Sequence, residues 1–225
     1  MSDFQLQYGD DFLPVDGDFP RAGDYLPSFM LVDDQKRDVA LERFVRSPKL
    51  ILTLLSLDED EHAGIFLLRE TRRFAERWPQ LKLIVISVDS PSSLARARQE
   101  HGLPNVTLLS TLRGRDFHKH YGVLIKEYPL SGYTAPALLL ADGDDVIHYA
   151  ERLANTRDYF NFDALNALLE QAETQLREKE MAEEEEKARV EAEQSQSAER
   201  LLEKARQLHE AQLARHKTDG DGEAG

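Results

Sequence analysis

Lys49-Leu50-Ile51-Leu52-Thr53-Leu54-Leu55 is an apolar run of strand length, and it is followed by the polar stretch Ser56-Leu57-Asp58-Glu59-Asp60-Glu61-His62. A run of this kind, without the polar alternation of a half-exposed strand, belongs to a strand buried on both faces of a sheet. The polar stretch is then a loop, leading into a helix from about Ala63 to Trp78. Leu81 to Val88 reads as a second buried strand, and Ser90 to His101 as a helix capped by Ser90 or Ser92. Further on, Val106 to Leu109 is a third strand and Arg115 to Tyr121 a short helix. Ala137 to Leu140 and Val146 to Ala150 flank Asp142-Gly143-Asp144-Asp145, the pattern of an antiparallel hairpin. Upstream, Phe29 to Val32 and Val39 to Leu41 are two short strands joined by a turn. Strands and helices alternate first and a hairpin closes the series, so the fold class is α/β with a mixed sheet flanked by helices.

The chain of 225 residues carries 28 Lys and Arg against 42 Asp and Glu, a net charge of -14. That balance argues against nucleic-acid binding, which needs concentrated cations for the phosphate backbone, and against anionic membrane surfaces. Met1 to Asp11 has neither a basic region nor an apolar core, so no signal peptide is read there. No run is apolar enough to cross a bilayer, and a cytoplasmic protein is expected. The chain has no cysteine, which excludes disulfides, thiolate metal sites and thiol catalysis.

Composition shifts near Leu169. Phe162 to Leu169 opens a final helix, and from Gln171 to Lys217 helix formers dominate without a strong breaker. Continuous from Phe162, such a helix extends roughly 80 Å. Its early part, with Glu183-Glu184-Glu185-Glu186, has few apolar positions, whereas Leu201, Leu202, Ala205, Leu208 and Leu213 form a short stripe later. Sustained heptads are missing, which leaves three readings: a solvated charged helix, weak coiled-coil pairing, or docking to a partner helix.

Pro20-Arg21-Ala22-Gly23, then Phe29, Leu31-Val32, Asp38-Val39 and Leu41, stand in the order of the opening of bacterial thiol peroxidases. Ser56-Leu57-Asp58, Ser87-Val88-Asp89 and the long block Asn105-Val106-Thr107-Leu108-Leu109-Ser110-Thr111-Leu112-Arg113 continue it. Asp116-Phe117, Tyr121-Gly122-Val123, Pro129-Leu130, Gly132 and Thr134-Ala135 complete the pattern. Over approximately residues 4 to 170 the chain resembles this family, the atypical two-cysteine peroxiredoxins. The resemblance implies a thioredoxin-like, peroxiredoxin-type fold with an amino-terminal hairpin, and a homodimer. Residues 1–170 are then the thioredoxin-like domain, 171–217 a charged helical tail and 218–225 a disordered terminus.

The resemblance does not carry the activity with it. The family presents its peroxidatic thiolate from a Pro-x-x-x-Thr-x-x-Cys loop, supported by an Arg. By that pattern the Pro position is Leu55, the Thr is Glu59, the peroxidatic Cys is His62 and the Arg is Pro136, while the resolving Cys falls at about Arg98. Only a thiolate forms the sulfenic acid of peroxide reduction, and an imidazole does not replace it. Glu59, Asp60 and Glu61 would repel an anion there, yet they suit a helix amino terminus.

The expectation is a noncatalytic family member, with no cofactor and no metal, acting as an interaction or regulatory scaffold for an unidentified protein partner. One alternative is a repurposed enzyme or metal site on the Asp58 to His62 loop, since carboxylates and an imidazole are acceptable ligands or proton carriers. Another is a structural protein that oligomerises through its tail. His118 and His120, two apart on a helix, point to different faces and do not share a metal. Thr134-Ala135-Pro136-Ala137 resembles the thioredoxin segment in which a cis proline precedes a core strand. A trans proline filling the place of the family Arg is the other reading of Pro136.

Overall fold

A computed structural model describes residues 4–58, 64–114 and 116–220, with side chains described through Gln207. Its main sheet has seven strands in the order β10-β9-β5-β6-β7-β3-β4. They are β3 (Met30–Asp33), β4 (Asp38–Ala40), β5 (Lys49–Thr53), β6 (Lys82–Ser87), β7 (Thr107–Ser110), β9 (Ala137–Ala141) and β10 (Ile147–Arg152). β5, β6 and β7 run parallel, with Ile51 opposite Ile84 and Ile86 opposite Leu109, and the outer pairings are antiparallel. This is the mixed thioredoxin-like sheet. A second sheet joins β1 (Gln5–Tyr8), β2 (Asp11–Asp16) and the two-residue β8 (Leu124–Ile125).

β5 is buried along its whole length because both of its faces are covered. Ile51, Ile84, Ile86, Leu109, Ala137 and Leu139 share one core with Leu6, Leu13 and Val15 of the amino-terminal hairpin and with Phe29, Phe117 and Tyr121. The alternate residues Leu50, Leu52, Leu83, Val85 and Leu138 are buried as well. Helix α1 (Gly64–Glu76) lies against β5 and β6, burying Leu67, Leu68, Thr71 and Phe74, a spacing of three to four residues that makes one helical face. Helix α2 (Pro91–His101) lies against β7 and β3. The Ser90 hydroxyl accepts the Ser93 amide at 3.1 Å, so Ser90 rather than Ser92 is the cap, and Gly102 closes the helix in the left-handed conformation with φ 59°.

Short helix α3 (Phe117–His120) is followed, after β10, by α4 (Phe162–Gly220). The chain divides into two compact units, residues 1–166 and 167–225. Within the first unit, Leu165 is fully buried and the Phe162 ring stacks on Phe74 of α1 with centroids 5.3 Å apart. The second unit is the remainder of a 59-residue helix, about 88 Å long at 1.5 Å per residue. From Glu170 to Gln207 every one of its side chains is exposed.

Candidate functional site

The segment leaving β5 is fixed by a single carboxylate. Asp89, buried just beyond β6, accepts the Ser56 hydroxyl at 2.6 Å, the Leu57 amide at 2.7 Å and the Ser87 hydroxyl at 2.7 Å. Ser56 Oγ in turn accepts the Asp58 amide at 3.0 Å. A carboxylate with this many donors satisfies its own charge and holds three residues in one geometry. From the other side, a Cβ at Gly64 would fall 2.0 Å from the Ser56 carbonyl oxygen, so only glycine lets the first turn of α1 close onto the strand end. Leu55 is buried, with 1% of its surface exposed.

Asp58, the last described residue before the loop, is paired with Arg96 of α2. The Arg96 guanidinium, hydrogen-bonded to it, holds the Asp58 carboxyl below the usual carboxylate range, and Ser93 adds a further bond. Asp58 is therefore paired with a cation of α2. Glu59, Asp60, Glu61 and His62 lie outside the described residues. Among the described residues no group of three His, Asp or Glu side chains is placed to hold a metal ion.

Arg98 has other partners than Asp58. Its Nε donates to Asp34 Oδ2 at 2.6 Å, Nη2 to Asp34 Oδ1 at 3.2 Å, and Nη1 to the Leu103 carbonyl. This bidentate clamp ties the end of α2 to the β3–β4 turn. Arg96 and Arg98, two residues apart, use opposite sides of the helix, so the structure does not bring Arg98 together with Asp58.

Pro136 is buried at the threshold of β9. The cis alternative does not hold. The Ala135–Pro136 bond is trans, and among the described residues the cis peptide is Tyr128–Pro129. An extended trans chain fits the hydrogen bonds on either side: Ala135 O accepts Thr53 Oγ1 at 2.7 Å, and Pro136 O accepts the Leu153 amide at 3.0 Å. Ala137 continues directly into register with Thr53 and Arg152.

Beside this segment, His118 is buried with Nε2 at 3.1 Å from Thr134 Oγ1, while His120 is exposed, as two residues on different faces of α3 should be. Burial pushes the His118 pKa down and favours the neutral ring. Asp89 and Thr134 stand in blocks that carry the family resemblance and Arg96 stands two residues before Arg98, but the sequence assigns none of the three a role, and only the folded chain shows which partners they reach. A groove of about 610 Å³ lies elsewhere, lined by Arg72, Glu76, Lys82 and Asn105. It sits at the beginnings of β6 and β7, the opposite end from Thr53 and Ser87.

The model of the family described as Redoxin matches residues 21–169. The chain belongs to the redoxin family. This redoxin is 30% identical over 162 residues to a thiol peroxidase of Staphylococcus haemolyticus, a match covering 71% of this chain and 94% of the relative. It is similar to the solved structure of a thiol peroxidase from Chromobacterium violaceum, with 75% identity, a TM-score of 0.76, and coverage of 77% of this chain and 99% of that one. A peroxiredoxin-like protein from Aquifex aeolicus shares the fold at 22% identity, with a TM-score of 0.67 over 74% of this chain and 96% of that one. The family match stops at residue 169, so most of α4 lies beyond it.

Proposed function

We propose that this redoxin is a noncatalytic relative of the thiol peroxidases, a thioredoxin-fold interaction or regulatory scaffold that works as a cytoplasmic homodimer. The observation that carries the reading is the absence of any cysteine from a chain whose framework is that of thiol peroxidases. No thiolate is available to attack a peroxide oxygen, and no second thiol to resolve the product.

The residues at the aligned positions support it. Leu55 and Pro136 are buried in packing and strand pairing, and Arg98 is committed to Asp34 and Leu103. Glu59 and His62 replace the remaining Thr and Cys of the motif. Against this, Asp89, Ser56 and Ser87 form a complete hydrogen-bonded bracket, so the scaffold of the loop persists without its chemistry. The charged helical segment 171–217 serves to space the domain or to recruit a protein partner.

The test is steady-state hydroperoxide consumption by the purified full chain, coupled to thioredoxin, thioredoxin reductase and NADPH. The expected rate equals that of the coupling enzymes alone. A rate above that background which His62→Ala removes would overturn the reading.

A further inference from the structure

The exposed helix beyond residue 170 has a charge distribution that a solvated single helix does not require. Residues 171–199 hold ten glutamates against four arginines and lysines, a net charge of -6. Residues 200–217 hold five arginines and lysines against two glutamates, a net charge of +3. Ion pairs along the helix, Glu173 with Arg177, Lys179 with Glu183 and Glu186 with Arg189, engage all but one of the early cations. They leave most of the glutamates uncompensated within their own segment. Between the acidic and basic parts lies Gln194-Ser195-Gln196-Ser197-Ala198, an uncharged run.

We propose that this tail pairs with the tail of a second copy of the same chain, antiparallel, about a two-fold axis passing near Ser195. The charge pattern selects the arrangement. A crossing at that point sets Glu184 opposite Arg206 of the second copy, and reciprocally, while Glu186 and Lys204 lie on the far sides of the two helices. It also sets Glu173 opposite Lys217. At the crossing itself Ser195 meets its own copy and Gln194 meets Gln196, with Glu193 opposite Ser197 and one like-charge pair, Glu191 opposite Glu199, flanking the axis. Parallel pairing would instead stack Glu183-Glu184-Glu185-Glu186 on the same four carboxylates, which like-charge repulsion opposes.

The apolar residues agree with the same register. Leu202 lies opposite Ala188, and Ala198 opposite Ala192, so the bulkier side chains meet small ones and the helices can approach closely. Leu202, exposed on the single helix, gains cover from the second copy. The seam is short and polar, so electrostatics sets the partner and orientation while apolar burial adds cohesion. This inference deepens the proposed recruiting role of the tail, since the partner it names is the chain itself. It is independent of whether the redoxin domain turns over peroxide.

The chain has no cysteine, so one introduced cysteine gives a unique labelling site. Full-length Ser195→Cys and Gln175→Cys, each carrying a nitroxide, are measured by double electron–electron resonance. The expected result is a separation under about 20 Å at position 195 and about 60 Å at position 175, twenty residues from the axis in each copy at 1.5 Å per residue. Short separations at both positions would mean parallel pairing, and no defined separation at position 195 would mean an unpaired helix. Either outcome overturns the proposal.

Charge reversal supplies an independent arm. Glu173→Lys with Glu184→Lys in the Ser195→Cys background abolishes the short separation, and adding Arg206→Glu with Lys217→Glu restores it. Retention of the signal in the first variant, or failure of the second to restore it, contradicts the assignment. Circular dichroism of both variants confirms that the helix is still formed.

Discussion

At the scale of single residues, buried charge decides more than catalysis does. Lys49 is fully buried, with its Nζ against the Asp145 carboxylate and 3.1 Å from the Asp142 carbonyl. It holds the β9–β10 turn from beneath. Removing one partner of such a pair leaves the other uncompensated, which costs about 3–5 kcal/mol where both are buried. Asp145 is 27% exposed, so water recovers part of that. Lys49→Ala should therefore destabilise the chain by about 2–3 kcal/mol in urea unfolding. Lys49→Met paired with Asp145→Asn should cost less than the single change.

His118 gives the pH dependence its direction. Its folded pKa is depressed by burial, so the unfolded chain binds the extra proton first. The stability this neutral ring contributes is complete above the unfolded value of about 6.5 and is lost as pH falls below it, at up to about 1.4 kcal/mol per pH unit. Urea midpoints measured from pH 7.5 to 5.5 should fall, and His118→Gln should flatten that slope. Asp33, Asp58 and Asp142 have depressed values, so their contributions are lost only at lower pH, as the carboxylates protonate.

At the scale of elements, the strands that were plain in the sequence are those with no exposed face. Leu50 to Leu52 and Leu83 to Ile86 are apolar without interruption because helices or the hairpin cover both sides. The amino-terminal hairpin was implied by the family resemblance, but its residues were not legible. Gln5–Tyr8 sets Leu6 between two glutamines, and Asp11–Asp16 interrupts Phe12-Leu13-Pro14-Val15 with a proline, so neither reads as a strand and the pairing supplies the rest. β8 has only two residues and no periodicity to read. Likewise the Ser56–Asp89 bracket joins residues 33 apart, and the need for glycine at position 64 arises from a contact eight residues away. Spacing alone carries neither.

The helix α4 belongs to two environments, and truncation separates them. Leu165 is fully buried, so Leu165→Ala should cost about 2–5 kcal/mol. A chain ending at Gln171 keeps Phe162 and Leu165 and loses only exposed side chains among those described. Its thermal midpoint should stay within about 2 °C of the full chain, since removing surface contacts changes little. Far-ultraviolet circular dichroism should meanwhile lose the helical signal of the tail.

At the scale of the whole molecule, a redoxin framework has been kept while the atoms that define redoxin chemistry are missing. The β5–loop–α1 junction remains bracketed by Asp89, Ser56 and Gly64, and the sheet remains paired through Pro136 and Ala137. With no sulfur except that of three methionines, such a body can present surfaces and a charged helix but holds no two-electron thiol couple.

The most direct measurement mixes the full chain, freed of external reductant, with one equivalent of hydroperoxide and follows peroxide loss on the timescale of seconds to minutes. The account predicts no rapid phase, only the slow loss that methionine oxidation gives, unchanged in His62→Ala. A rapid loss approaching one equivalent, abolished by that substitution, would contradict it.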